Sequence, residues 1–440
     1  MKTSNVVVNL LIATITILLF APTISSYLPN VGSVLNLMDK AYIFVLLLLV
    51  GYSFMTSGKL YLYHSLGLLF FSISIGLVSN LIEYKLNFSS FVQLLLTFQG
   101  VICFYLISQF QFKSTQIERL FYFIILFGVI SVLIGLIEIV FPNFVRAVFH
   151  AGKIHEEAVI RGGFSSIQSI FGHPGQFSWF LSFCLCISFV KYNFSKRKVY
   201  LILSFLFILT LMFTLRRKSI VAIFFVFVFI TMIQSDGFKS KLRNFFFTIT
   251  LISFSFVIFY EQIQFVFLDA IERYSVHEDT ATQNVQPRIV LADASVRIAT
   301  DKFPFGSGLG TFGSWMSKVN YSDIYYEYGV SDYWGLSPQD DRYLNDTYWP
   351  MIIGEFGFIG AIGILCFYLL LMKKLVGLIR GTLNSGSLYL TIAFAVFLEL
   401  FIESFSSPAL SRSPQVFIVM AFLGILMSYS IQTPKILRFK

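Results

Sequence analysis

Apolar runs of membrane-spanning length recur along the chain, separated by short polar stretches that carry most of its lysines and arginines. A helix crosses the hydrocarbon core in about 20 residues. On that measure the pattern predicts an all-α, polytopic integral membrane protein with about twelve transmembrane helices. They fall near Val6–Ala21, Asp39–Phe54, Leu62–Leu81, Phe91–Phe110, Leu120–Phe141, Gln176–Val190, Val199–Leu215, Ile220–Ile233, Phe245–Tyr260, Trp349–Met372, Ser387–Phe401 and Gln415–Tyr429. The first run follows Lys2 as a signal peptide would, but Pro22 and the residues after it lack a small-x-small cleavage site, so it counts as a helix. Two polar stretches are long: 142–174, and 263–348 between helices nine and ten. With no repeat or second domain in the pattern, 1–440 reads as a single transmembrane domain that contains both loops. The longer loop exceeds a structureless connection and has helix-compatible apolar spacing after Pro287, so it is expected to be partly helical.

Basic residues in short loops stay on the cytoplasmic side. Lys191, Lys196, Arg197 and Lys198 agree on one alternation with Lys239, Lys241 and Arg243, with Lys373, Lys374 and Arg380, and with Lys435, Arg438 and Lys440. Lys2, Lys59, Lys113 and Arg119 fit the same scheme. Both termini are then cytoplasmic and both long loops external. The turn Thr214-Leu-Arg-Arg-Lys-Ser219 breaks the rule, because the alternation puts its three cations outside. Either a helix is miscounted or an anionic ligand at Arg216, Arg217 and Lys218 supplies a local reason.

Composition narrows the class further. With 56% hydrophobic and 12% charged residues, the chain is no soluble domain. The net charge of +9 sits mostly in loops, where it reports topology and not nucleic-acid binding. Cys103, Cys184, Cys186 and Cys366 all lie in apolar runs and behave as small hydrophobes. Among the carboxylates near helices, Glu138, Glu261, Glu399 and Glu403 fall near external ends and Glu355 within two turns of one. A proton-coupled transporter needs ionisable groups near the midplane with access from both faces, so this distribution favours chemistry at the external surface.

Candidate chemistry concentrates in the two long loops and the cationic turn. In the helical stretch after Pro287, nine residues at about 100° each put Arg288 and Arg297 on opposite faces. Arg297 has Asp293 and Asp301 at four-residue spacing, an ordinary solvated ion-pair face. Arg288 has no local counter-charge and is the better anion ligand. Asp346 is either the cap of helix ten or, if Pro350 opens that helix, a free base or hydroxyl ligand. Glu355 and His173 are the other candidate bases, and His173 can equally be a surface histidine without a task. Gly308-Leu-Gly-Thr-Phe-Gly313 formally matches a dinucleotide turn, but no buried strand precedes it; its glycines suit close approach of backbone to backbone or ligand. Pro304, Phe303 and Phe305 would anchor it at the membrane surface. No spacing matches a zinc ligand set, so no metal and no cofactor are expected.

Together, Arg161…Gly172-His-Pro-Gly, Arg216-Arg-Lys-Ser, Arg288 ahead of Pro304-Phe-Gly-Ser-Gly-Leu-Gly-Thr-Phe, and Asn345-Asp…Glu355-Phe-Gly-Phe-Ile-Gly360 resemble the O-antigen polymerase (Wzy-type) and O-antigen ligase family. The resemblance covers roughly residues 160–365. It implies a bacterial inner-membrane glycosyltransferase that acts at the periplasmic face on a glycan carried by undecaprenyl diphosphate, with neither nucleotide sugar nor metal. Ligases of the family usually place a histidine near Leu344-Asn345-Asp346. This chain has none there, which favours polymerase.

The residues agree with that implication. Transfer from a lipid diphosphate needs cations on the leaving group, and arginine binds phosphate oxygens bidentately. Arg216, Arg217 and Arg288 are the first candidates, with Arg161 next and Lys218 beside them. The acceptor hydroxyl must lose a proton to Asp346, Glu355 or His173. Attack opposite the diphosphate would invert the anomeric centre. Trp315, Tyr321, Tyr325, Tyr326, Tyr328, Tyr333 and Trp334 offer flat faces for sugar rings or an interfacial belt. Expected partners are the lipid-linked glycan, membrane lipid and a chain-length regulator protein, with no nucleic acid. Two alternatives stay open: a ligase that passes finished polymer to another acceptor, and a non-enzymatic flippase or exporter of lipid-linked glycan.

Overall fold

The computed structural model describes residues 2–57, 65–83, 87–152, 160–161, 164–234, 286–382 and 385–432. Helix nine, expected at Phe245–Tyr260, lies outside the described residues, as do Glu261 and the loop before 286. Among the described residues the fold is all-helical apart from one small hairpin, in which β1 (Ile160–Arg161) pairs antiparallel with β2 (Phe164–Ser165). In chain order the helices are α1 (Lys2–Tyr27), α2 (Pro29–Leu35), α3 (Met38–Ser57), α4 (Leu66–Ile82), α5 (Phe88–Ile107), α6 (Ser114–Val140), α7 (Pro142–His150), α8 (Pro174–Ser195), α9 (Lys198–Phe213) and α10 (Arg217–Gln234). The hydrophilic segment contributes α11 (Pro287–Asp301), α12 (Trp315–Val319) and α13 (Ile324–Glu327), and the chain ends on α14 (Trp349–Gly381), α15 (Ser385–Glu403) and α16 (Gln415–Gln432).

Each apolar run within the described residues is helical, because an apolar stretch that must satisfy its own backbone polar groups has little alternative. Seven helices there are long and apolar enough to cross a membrane, and three more apolar helices, at Leu66–Ile82, Lys198–Phe213 and Gln415–Ser430, are shorter. That is the make-up of a membrane protein. Within the bundle α15 is central and almost wholly buried, whereas α3 leaves most of its side chains at least partly exposed. The outer helices turn large apolar side chains outward, including Phe44, Leu47 and Met55 on α3 and Leu201, Ile202 and Phe205 on α9, as a lipid-facing surface requires.

The polar contacts sort to two ends of the bundle. At one end Gln116 reaches Asn5, Arg119 bonds Asn9 at 2.9 Å, and Glu118 pairs with Lys191 and accepts from Tyr389 at 3.0 Å. At the other, Thr23 bonds the Ile170 carbonyl at 3.0 Å, Lys302 pairs with Glu83 at 2.9 Å, and Gln99 donates to the Ser411 carbonyl. The long loops and the 214–219 turn meet at this second end.

The hydrophilic segment is no bare connection. Val290, Leu291, Ala294, Ile298, Phe312, Ile324, Tyr325, Val330, Leu336 and Leu344 form an apolar cluster of their own. Its glycine-rich loop is wedged between α4 and α14. There α14 breaks: Gly357 has φ +64° and ψ −179°, which frees backbone carbonyls from the helix. The Ser307 and Gly308 amides take up the Gly354 and Glu355 carbonyls at 2.8 and 3.0 Å. From the α4 side, Ser79 donates to the Gly306 carbonyl at 2.7 Å, and the Asn80 amide brackets Leu309, accepting from its N–H at 2.7 Å and donating to its carbonyl at 3.1 Å. The close approach expected of these glycines is thus backbone against backbone. Phe303 is exposed and Phe305 half-buried beside it.

Candidate functional site

The cationic turn starts from a local strain. Leu215 is buried at φ +56°, a conformation that costs a non-glycine residue about 1–2 kcal/mol. It turns the chain sharply between α9 and α10 and leaves Arg216 outside the helix, with Arg217 and Lys218 in its first turn. Cations at a helix N-terminus oppose its dipole, so anions are favoured beside them. One comes from the protein itself: Lys218 lies 3.5 Å from Glu403 and donates to Ser407 at 3.1 Å. Ser219 donates to Glu403 at 2.5 Å and contacts the Ser178 hydroxyl at 2.9 Å, all of them buried.

Arg216 meets His173. Its Nη2 is 3.1 Å from His173 Nε2, while His173 Nδ1 lies 2.8 Å from the Gly175 amide that opens α8. His173 is therefore the N-cap of α8, with Pro174 as the first helical residue. A neutral imidazole accepts at only one nitrogen. With Nδ1 on the Gly175 amide, the tautomer of the ring sets the sense of the Nε2 contact to Arg216, and that contact ties the cationic turn to the start of α8.

Arg288 and Asp346 also come together. Arg288 Nε bonds Asp346 Oδ2 at 2.9 Å and its Nη2 meets the same oxygen. Asp346 is not a helix cap: Tyr348 holds that position in α14, with Pro350 in the first turn. The counter-charge missing from the neighbourhood of Arg288 in sequence is supplied from 58 residues away. Arg297 does pair with Asp293 at 2.9 Å, and it also donates to the Tyr328 carbonyl at 3.2 Å. Asp346 leads into Trp349, whose indole donates to Ser404 at 3.0 Å and stacks on Phe405. The 403–407 turn therefore touches Lys218 from one side and the start of α14 from the other.

Glu355 is fully buried, and its Oε1 accepts from the amides of Gly310, Thr311 and Phe312 at 2.8, 3.0 and 3.3 Å. That geometry holds the glycine-rich loop in place. Glu138 does the same for the shorter loop, accepting from the Gln168 and Ser169 amides at 2.9 and 2.7 Å. Arg161 has its backbone in the hairpin, paired with Phe164; its side chain lies outside the described residues.

No protein-family model matches the chain, and no curated protein is significantly similar to it.

The Glu403–Ser407 turn, with Ser178 and Ser219, has no signature that sequence reasoning picked out as a site. Its one signal is a pair of carboxylates, Glu399 and Glu403, four residues apart at a helix end. The Gly357 break had a signal in the glycine spacing of Gly354, Gly357 and Gly360, where small residues permit close packing.

Proposed function

We propose that this protein is a multi-pass glycosyltransferase that polymerises lipid-diphosphate-linked oligosaccharide repeats at the periplasmic face of a bacterial inner membrane. In this reading about twelve helices span the bilayer, and both termini are cytoplasmic. The observation that carries it is the His173–Arg216 contact, Nε2 to Nη2 at 3.1 Å, beside Arg217 and Lys218 in a chain otherwise poor in charge.

Chemically, the acceptor hydroxyl oxygen attacks the anomeric carbon of the donor sugar while the bond from that carbon to the diphosphate breaks. The hydroxyl proton passes to Asp346, which Arg288 orients. The departing lipid diphosphate takes the bonding electron pair, and its added charge is met by Arg216 and His173, with Arg217 and Lys218 close by. Glu355 acts as a positioning residue through the loop it anchors. The acceptor attacks opposite the leaving group, so the anomeric centre inverts.

The deciding assay uses purified full-length protein and one substrate, the lipid-diphosphate-linked repeat unit. The glycan is expected to lengthen in chelator-treated buffer. Transfer only to a second, unrelated acceptor would make the protein a ligase, translocation without new glycosidic bonds a flippase, and strict dependence on a divalent ion would refute this mechanism.

Topology has its own test. Ser219 is buried and makes a poor reporter, whereas Gln339 and Ser195 are exposed. A membrane-impermeant maleimide on intact spheroplasts is expected to label Gln339→Cys and to miss Ser195→Cys; the opposite pattern would invert the proposed orientation.

A further inference from the structure

We infer that Trp334, Tyr343, Arg342 and Asp340 form a preformed platform for a pyranose ring of the acceptor glycan. The inference rests on the proposed function only in taking the occupant to be a glycan.

Trp334 is 54% exposed, a large fraction for an indole, yet its neighbours are firmly placed. The Arg342 guanidinium lies over it, 5.3 Å from the ring centre, and the Tyr343 ring is 5.4 Å away at 50°. Arg342 is held in turn by Asp340 through two bonds, Nε to Oδ1 at 2.7 Å and Nη2 to Oδ2 at 2.9 Å. The same hydrogen-bonded arginine holds the Asp340 carboxyl below the usual carboxylate range. The backbone is built for this arrangement. Gly335 sits at φ +76°, and a side chain there would come within 2.9 Å of Tyr343 Cε2. Without one, the two strands of the turn close, and the Tyr343 amide bonds the Gly335 carbonyl at 3.0 Å. Leu336 and Leu344 pin the turn into the apolar cluster below.

The chemistry of this patch matches a sugar better than a lipid tail or a second protein. A pyranose ring has a face of C–H groups that packs on an aromatic plane, and an edge of hydroxyls that seeks planar, charged partners. Trp334 and Tyr343 supply the first, the Asp340–Arg342 pair the second. On its packed side this indole has the Arg342 guanidinium, a charged neighbour that suits a hydroxyl-bearing ring better than a lipid tail. The platform also leads directly to the proposed base, since the Asp346 amide donates to the Tyr343 carbonyl at 3.2 Å. A ring stacked on Trp334 lies on the same turn as the carboxylate that would take its proton. Because the groups are fixed before binding, little ordering cost accompanies it.

The test titrates the free repeat-unit oligosaccharide, released from its lipid by mild acid, into full-length protein in detergent and follows binding by calorimetry. Saturable binding is expected for the wild type. Trp334→Ala and Arg342→Ala should each weaken it about tenfold, Trp334→Phe should restore most of it, and Arg297→Ala should leave it unchanged. Since the free oligosaccharide carries no lipid diphosphate, the measurement does not depend on turnover. A wild type that binds the sugar but never extends lipid-linked repeats overturns the polymerase reading and leaves the platform standing. Absence of binding, equal binding by Trp334→Ala, or quenching of Trp334 fluorescence by brominated lipid overturns the platform.

Discussion

On the proposed function, Arg216→Ala is expected to lower the turnover number for glycan extension by about 10²–10³-fold while the protein stays folded. Removing one preorganised donor from developing negative charge has an effect of that size. Arg216 is half-buried beside His173 and outside the helix, so its loss leaves the α9–α10 turn, set by Leu215, in place. Arg216→Lys should recover only part of the rate, because an ammonium cannot replace a planar fork. His173 separates capping from chemistry. His173→Asn keeps an acceptor where Nδ1 meets the Gly175 amide but loses Nε2, so it should retain thermal stability and lose rate. Steady-state kinetics with melting curves, using Arg297→Ala as control, check both points. An Arg216→Ala variant with wild-type turnover would remove the anion site from the proposed mechanism.

Gly306→Ala should remove folded protein from the membrane. The residue sits at φ +74°, and a Cβ there would lie 2.6 Å from the Gly354 carbonyl oxygen, which is backbone and cannot rotate away. The left-handed conformation costs alanine about 1–2 kcal/mol, and overpacking adds about 1–3 kcal/mol. The sum is a large part of the 5–15 kcal/mol that typically stabilises a domain. Gly310→Ala is the contrast: it also has positive φ, but its Cβ would meet nothing closer than 3.6 Å, so it should bear the conformational cost alone. Detergent melting temperatures and membrane yield of the two variants provide the comparison. Equal behaviour would mean that the close approach of Gly306 to the Gly354 carbonyl does not hold the loop.

How much of this was readable along the chain differs from residue to residue. The helices were legible because apolar runs act through local burial; α8, α10 and α14 begin within a few residues of their expected starts. The opposite facing of Arg288 and Arg297 was legible from helical spacing alone. The partner of Arg288 was not, because Asp346 is 58 positions away and could equally have capped α14. Lys218 looked like one of three cations waiting for an outside anion, yet Glu403, 185 positions on, already stands beside it. Glu355 reads along the chain as a candidate base, whereas in the fold three loop amides donate to one of its oxygens.

The sequence by itself determined that this is a helical membrane protein, where its polar ends fall, and which cations and carboxylates stand near them. Those properties follow from the free energy of placing apolar and charged groups in or out of water, which each residue carries wherever it is. Only the tertiary structure decided the pairings: His173 with Arg216, Asp346 with Arg288, Glu403 with Lys218, and the glycine-rich loop with the broken helix at Gly357. Each depends on a few kcal/mol of geometry between segments far apart in the chain, and residue type alone does not choose among the partners available at one end of the bundle.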